Sequence, residues 1–105
     1  MAASQSRRTP TPAFDSIYRH GFLRVAVCTP RVEVASPEVN ARQTLSLVRQ
    51  AAAERAALAL FPELGLSAYS NEDLFQQDAL LDASLAALTE LAGASRDLAT
   101  VVVVG

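Results

Sequence analysis

Residues 58–75 read LALFPELGLSAYSNEDLF, and the break inside this stretch decides the fold. Leu58, Ala59, Leu60 and Phe61 form an apolar run with no polar alternation, the pattern of a strand buried on both faces. Pro62 cannot donate to a ladder, so the strand has to stop there, and Glu63 is the next side chain. In α/β sheets the strand ends open onto the crevice where ligands bind. A carboxylate just past such an end is placed for chemistry. Residues 65–70 continue as a loop, and a helical segment is expected from about Asn71.

Upstream, residues 22–28 (FLRVAVC) form a β-favouring run closed by Thr29 and Pro30, after a short helical turn over 13–20 that ends before Gly21. Ser36, Pro37 and Glu38 make a helix start: serine to cap, proline in the first turn, an acid against the dipole. That helix is expected to run to about Arg55. Ala41, Leu45, Val48 and Ala52 recur on one face, leaving Glu38, Arg42 and Arg49 for solvent. Downstream, a longer helix is expected through about Ala94 with a stripe of Leu81, Leu85, Leu88 and Ala92, and residues 100–104 (TVVVV) read as a third strand. The order β-α-β-α-β implies an α/β fold with a parallel, right-handed arrangement. Residues 1–13, rich in Ser, Thr, Pro and Arg, read as a disordered leader outside the folded unit 14–105. Three strands and two helices leave sheet edges and a face uncovered, so this unit is expected to be part of a larger domain.

Half of the 105 residues are apolar and the mean hydropathy is +0.20, too hydrophobic for a disordered chain. A net charge of -2, with no basic cluster beyond Arg7 and Arg8 and no aromatics interleaved there, argues against nucleic-acid binding. The nine basic residues are all arginine, so no side-chain amine is available for a Schiff base. A single cysteine forms no internal disulfide, and no apolar run approaches the roughly 18 residues of a membrane span. The N-terminus lacks the apolar core of a secretory signal, and a cytoplasmic protein is expected.

Most other candidates have bland explanations. His20 with Ser67 or Ser70 would suggest a hydrolase, but residues 65–69 (GLSAY) lack the second glycine of a nucleophile elbow. Glu72 and Asp73 follow Asn71, the expected helix cap, where the dipole alone explains acids and no metal is needed. Cys28 reads as a small core residue at the end of the first strand. Tyr69 is placed to shape the mouth of a pocket and contact substrate, though ordinary packing explains it equally well.

The words FPELGLSAYSNEDLF, with Leu66, Tyr69, Glu72, Asp73 and Leu74 in the spacing L-x-x-Y-x-x-E-D-L, resemble the base-carrying segment of one family. It is the nitrilase-type glutaminase domain, of the carbon-nitrogen hydrolase superfamily, that opens glutamine-dependent NAD synthetases. HGFLRVA at 20–26 resembles its first strand and QDALLDA at 77–83 the start of its second long helix, so the resemblance covers roughly 14–105. It implies that this chain is a partial β-α-β-α-β portion of a four-layer α-β-β-α sandwich.

The same resemblance implies that Glu63 is the general base of a Glu-Lys-Cys triad. The carboxylate takes the thiol proton, the thiolate attacks the side-chain amide of L-glutamine, and lysine stabilises the oxyanion as ammonia leaves; water then cleaves the thioester. Such a base benefits from partial burial, which the apolar flanks Leu60, Phe61 and Leu64 are expected to supply. The chain departs from the pattern: it has no lysine, and Cys28 lies upstream of Glu63 whereas the family's nucleophile lies well downstream. Alone it is expected to be inactive. A complete member passes ammonia to a synthetase domain, which uses ATP and magnesium to amidate nicotinic acid adenine dinucleotide to NAD, and is expected to be a homo-oligomer. No cofactor is expected on this chain. The alternatives are a piece of a stand-alone amidase or carbamoylase, and a non-catalytic α/β interaction module.

Overall fold

Three short apolar segments align row by row: β1 (Val25–Val27), β2 (Leu58–Leu60) and β3 (Val101–Val103). The computed structural model, which describes residues 11–68 and 77–105, pairs them in parallel in the order β1-β2-β3, with Val25, Leu58 and Val101 in one row and Val27, Leu60 and Val103 in another. The crossovers are α1 (Pro37–Ala53) and α2 (Asp78–Ala94). Two successive crossovers of one hand, stepping in the same direction, put both helices on one face. Accordingly α1 and α2 pack directly on each other.

The middle row of the sheet faces the helices. Ala59 is fully buried and joins Cys28, Val48, Ala51, Ala56 and Phe61 in the main core, with Ala26 and Val102 packed against it. Alanine at 26, 51 and 59 lets the helix approach closely. The outer rows lie on the opposite face, where Val25, Val27, Leu60, Val101 and Val103 are all exposed, Val27 by 78%. Here β2 departs from the expected strand buried on both faces: Leu58 is half-buried and Leu60 exposed, because the helices cover one side of the sheet only.

In α1 the helix begins at Pro37 as expected, but Ser36 makes no side-chain cap; its hydroxyl donates to the Val34 carbonyl at 3.3 Å instead. The buried face is rotated from the expected stripe. Asn40, Ala41, Thr44, Val48 and Ala51 are buried, whereas Leu45 and Ala52 are only half-buried. The helix ends at Ala53, two residues short of the expected end, in a Schellman closure: Ala56 N–H donates to the Ala51 carbonyl (2.9 Å) and Arg55 N–H to that of Ala52 (3.0 Å). Arg55 takes the left-handed conformation there, with φ at 60°, where glycine is usual.

The expected helical start at Asn71 falls outside the described residues. Within α2, Leu80, Ala87 and Leu91 are buried, while the expected stripe of Leu81, Leu85 and Leu88 is exposed. Both faces of this helix are apolar, and the one meeting α1 is the one containing Ala87, which packs with Ala41 and Leu66 in a second cluster. Ahead of β1, residues 17–20 form the short turn expected, a 3-10 helix closed by Gly21 at φ 81°. The leader reading falls largely on residues 1–10, outside the described residues; residues 11–13 are exposed.

Candidate active site

Phe61 N–H donates to the Val103 carbonyl at 2.9 Å, the last rung beyond the paired rows, and the Phe61 ring enters the core. Pro62 then carries no donor, and Glu63 stands exposed at the C-terminal end of the central strand. The chain turns back over residues 63–67. Leu64 and Ala68 both have positive φ, 54° and 69°, and Ala68 N–H donates to the Leu64 carbonyl at 2.8 Å. Leu66 is buried against Ala41 and Ala87, which pins the loop on its inner side.

Asn40 ties this loop to its surroundings. Its side-chain nitrogen donates to the Leu66 carbonyl (2.7 Å) and the Glu33 carbonyl (2.8 Å), and its oxygen accepts from Glu33 N–H (2.7 Å). Ala35 N–H donates to the Ser67 carbonyl at 3.0 Å, a second stitch between the connector 31–35 and the loop. On the other side Gly105, following β3, approaches the Glu63 backbone too closely to admit a Cβ. An apolar cleft of about 450 Å³ opens beside these residues, lined by Leu64, Leu66, Leu81, Leu85, Val104 and Gly105 among others.

The expected partial burial of Glu63 is not found. Only Phe61 of its apolar flanks turns fully inward, Leu60 lies on the bare sheet face, and nothing among the described residues covers the carboxylate. Tyr69, Ser70, Asn71, Glu72 and Asp73 lie outside the described residues. Cys28 is where expected, in the core beneath the sheet, and burial pushes its thiol up from the ordinary value, away from the reactive thiolate. His20 and Ser67 are not brought together: the imidazole Nε2 lies 2.6 Å from the Phe14 carbonyl, in the segment leading into β1, whereas Ser67 follows β2 at the other end of the sheet. Among the described residues no three His, Cys, Asp or Glu side chains are grouped to hold a metal ion, and no helix is long and apolar enough to cross a membrane. Asn40 and Gly105 belong to none of the sequence motifs. The spacing of Asn40, Thr44, Val48 and Ala51 was the available signal for the first.

The sequence model for the carbon-nitrogen hydrolase family matches residues 24–105, which span every strand and helix described except the short turn before β1. The chain belongs to the carbon-nitrogen hydrolase family. Over 92 residues it is 50% identical to the protein named glutamine-dependent NAD(+) synthetase of Mycobacterium tuberculosis (strain ATCC 25618 / H37Rv), covering 88% of this chain and 14% of that protein. The protein of the same name from Mycobacterium leprae is 44% identical over the same proportions. That from Xylella fastidiosa (strain 9a5c) is 34% identical over 82 residues, 77% of this chain and 15% of its own length. The chain thus spans 14–15% of the length of these relatives. For a carbon-nitrogen hydrolase segment, the architecture is a three-stranded parallel sheet with two helices on one face and an apolar second face.

Proposed function

We propose that residues 14–105 are the opening part of the glutaminase domain of a glutamine-dependent NAD synthetase and that Glu63 is its general base. One observation carries the reading: Glu63 stands at the open end of the central strand, just beyond the proline that ends it, in a chain half identical to proteins of that name. An exposed carboxylate at a strand end beside an apolar cleft can take a proton from a thiol brought to it, give it to the amide nitrogen that leaves as ammonia, and then take one from the water that cleaves the thioester. The chain contains no lysine, and its one cysteine is buried in the core, so the nucleophile and the oxyanion-stabilising ammonium come from beyond these residues. The same contribution covers Glu63, which none of the described residues buries. Synthesis of NAD with ATP and magnesium belongs to a further domain; no glycine-rich phosphate loop occurs in this sequence. A cytoplasmic, homo-oligomeric enzyme is part of the same proposal.

The test is a full-length enzyme in which residues 14–105 replace the matched segment of the M. tuberculosis relative. Glu63→Gln keeps the shape and removes the proton acceptor, so glutamine-driven NAD formation should fall by roughly 10²- to 10⁴-fold while formation from added ammonium survives. Equal losses from both nitrogen sources, or undiminished use of glutamine, would refute the assignment.

A further inference from the structure

Asn40 is completely buried, yet it carries a carboxamide on a helix face otherwise made of Pro37, Ala41, Thr44, Val48 and Ala51. A buried amide persists when its groups are paired, and here the three bonds of the carboxamide all run to backbone outside its own helix. Two go to Glu33 in the connector and one to Leu66, three residues beyond Glu63. Three non-glycine residues with positive φ surround this knot: Ala35 (51°), Leu64 (54°) and Ala68 (69°). Backbone held in such conformations persists only where its surroundings over-determine it. Leu64 is the residue next to Glu63, so the conformation that Asn40 fixes sets the direction in which the chain leaves the glutamate.

We propose that Asn40 is a positioning residue for Glu63: its buried carboxamide holds the loop 64–68, whose two ends have positive φ, against α1 and thereby fixes the carboxylate at the strand end. The proposal rests on the reading of Glu63 as the base. It requires Asn40 to affect the rate of proton transfer more than the binding of glutamine, because Asn40 does not itself line the cleft and reaches the lining residue Leu66 only through its backbone carbonyl. A misplacement of about 1 Å at a catalytic group costs on the order of 10²-fold in rate.

The experiment uses the same full-length chimeric enzyme. Asn40→Ala removes all three bonds; Asn40→Asp keeps the size of the side chain and an acceptor for Glu33 N–H but loses the amide donors to Leu66 and Glu33. Both variants should lower glutamine-driven kcat by roughly 10- to 100-fold, leave KM for glutamine within about threefold, and leave ammonium-driven synthesis within about twofold. Melting curves and soluble yield give the folded fraction. An unchanged kcat per folded molecule in the Asp variant, or losses that merely follow the folded fraction, would overturn the proposal. Glu63→Gln run alongside separates the two claims. If it abolishes glutamine use while the Asn40 variants stay fully active, only the positioning role fails; if it has no effect, the base assignment fails and the positioning role falls with it.

Discussion

Gly105 is packed against Glu63. A Cβ built on Gly105 would lie 3.1 Å from the Glu63 Cβ and 3.2 Å from its amide nitrogen, and nearer still to its Cα. These are backbone or near-backbone atoms that cannot swing aside, so the restriction is one of space. The end of the third strand thus forms a wall behind the residue that follows the second.

Gly105→Ala should therefore displace Glu63 even though it changes no chemical group. Overpacking of this kind typically costs about 1–3 kcal/mol, and part of the relief has to come from the loop carrying the carboxylate. In the chimeric enzyme the expected outcome is a glutamine-driven rate reduced by roughly tenfold or more, with ammonium-driven synthesis intact. A rate equal to the parent's would mean that the close approach is not maintained in the working enzyme.

Arg55 offers the opposite case, a residue whose replacement should stabilise. It sits at φ 60° in the closure of α1, a conformation that costs a side chain-bearing residue about 1–2 kcal/mol. Its backbone carbonyl accepts the Tyr18 hydroxyl, a contact that glycine retains. Arg55→Gly should slow hydrogen exchange at Ala56 N–H, which closes the helix on Ala51, by about fivefold, the equivalent of about 1 kcal/mol. Faster exchange would show that the arginine side chain contributes more than its backbone costs.

The bare sheet face should govern solubility. Val25, Val27, Leu60, Val101 and Val103 present apolar side chains on one face, and among the described residues β1 and β3 are edge strands without a further partner. The isolated 105-residue chain is expected to self-associate and to show no glutaminase activity. Val27→Glu with Val101→Glu should reduce its light scattering. In the chimeric enzyme, where a second layer is expected over this face, the same pair should lower soluble yield. Improvement in both settings would mean that the face stays open to water.

The sequence carried the order of elements and the strand end at Pro62 and Glu63, because β-branched runs, a proline and two amphipathic stretches are local signals. It carried less about which faces are buried. In α2, Leu81, Leu85 and Leu88 repeat as regularly as Leu80, Ala87 and Leu91, and periodicity cannot choose between two apolar stripes; contact with α1 does. In β2 the run LAL looks buried on both faces although helices cover one, since the uncovered face is apolar too. Asn40 is legible only as a member of the spacing Asn40, Thr44, Val48 and Ala51, and its role is hidden for a different reason. Its partners, Glu33 and Leu66, come from two separate connections, and a polar residue in a helix reads as solvent-facing until the chain folds around it.

Tyr18 and Arg24 reach forward to the carbonyls of Arg55 and Glu54, closing spans of 37 and 30 residues. On a ribosome the donors are made first and the acceptors only after the whole of α1 has emerged, a wait of roughly 2–7 s at ordinary elongation rates. Throughout that interval the segment carrying Phe14, Phe22 and Leu23, which stay exposed in the finished fold too, has no helix end to anchor it. That stretch of the nascent chain is thus a loose thread before it becomes a clasp, and its capture by a chaperone would compete directly with the fastening of α1.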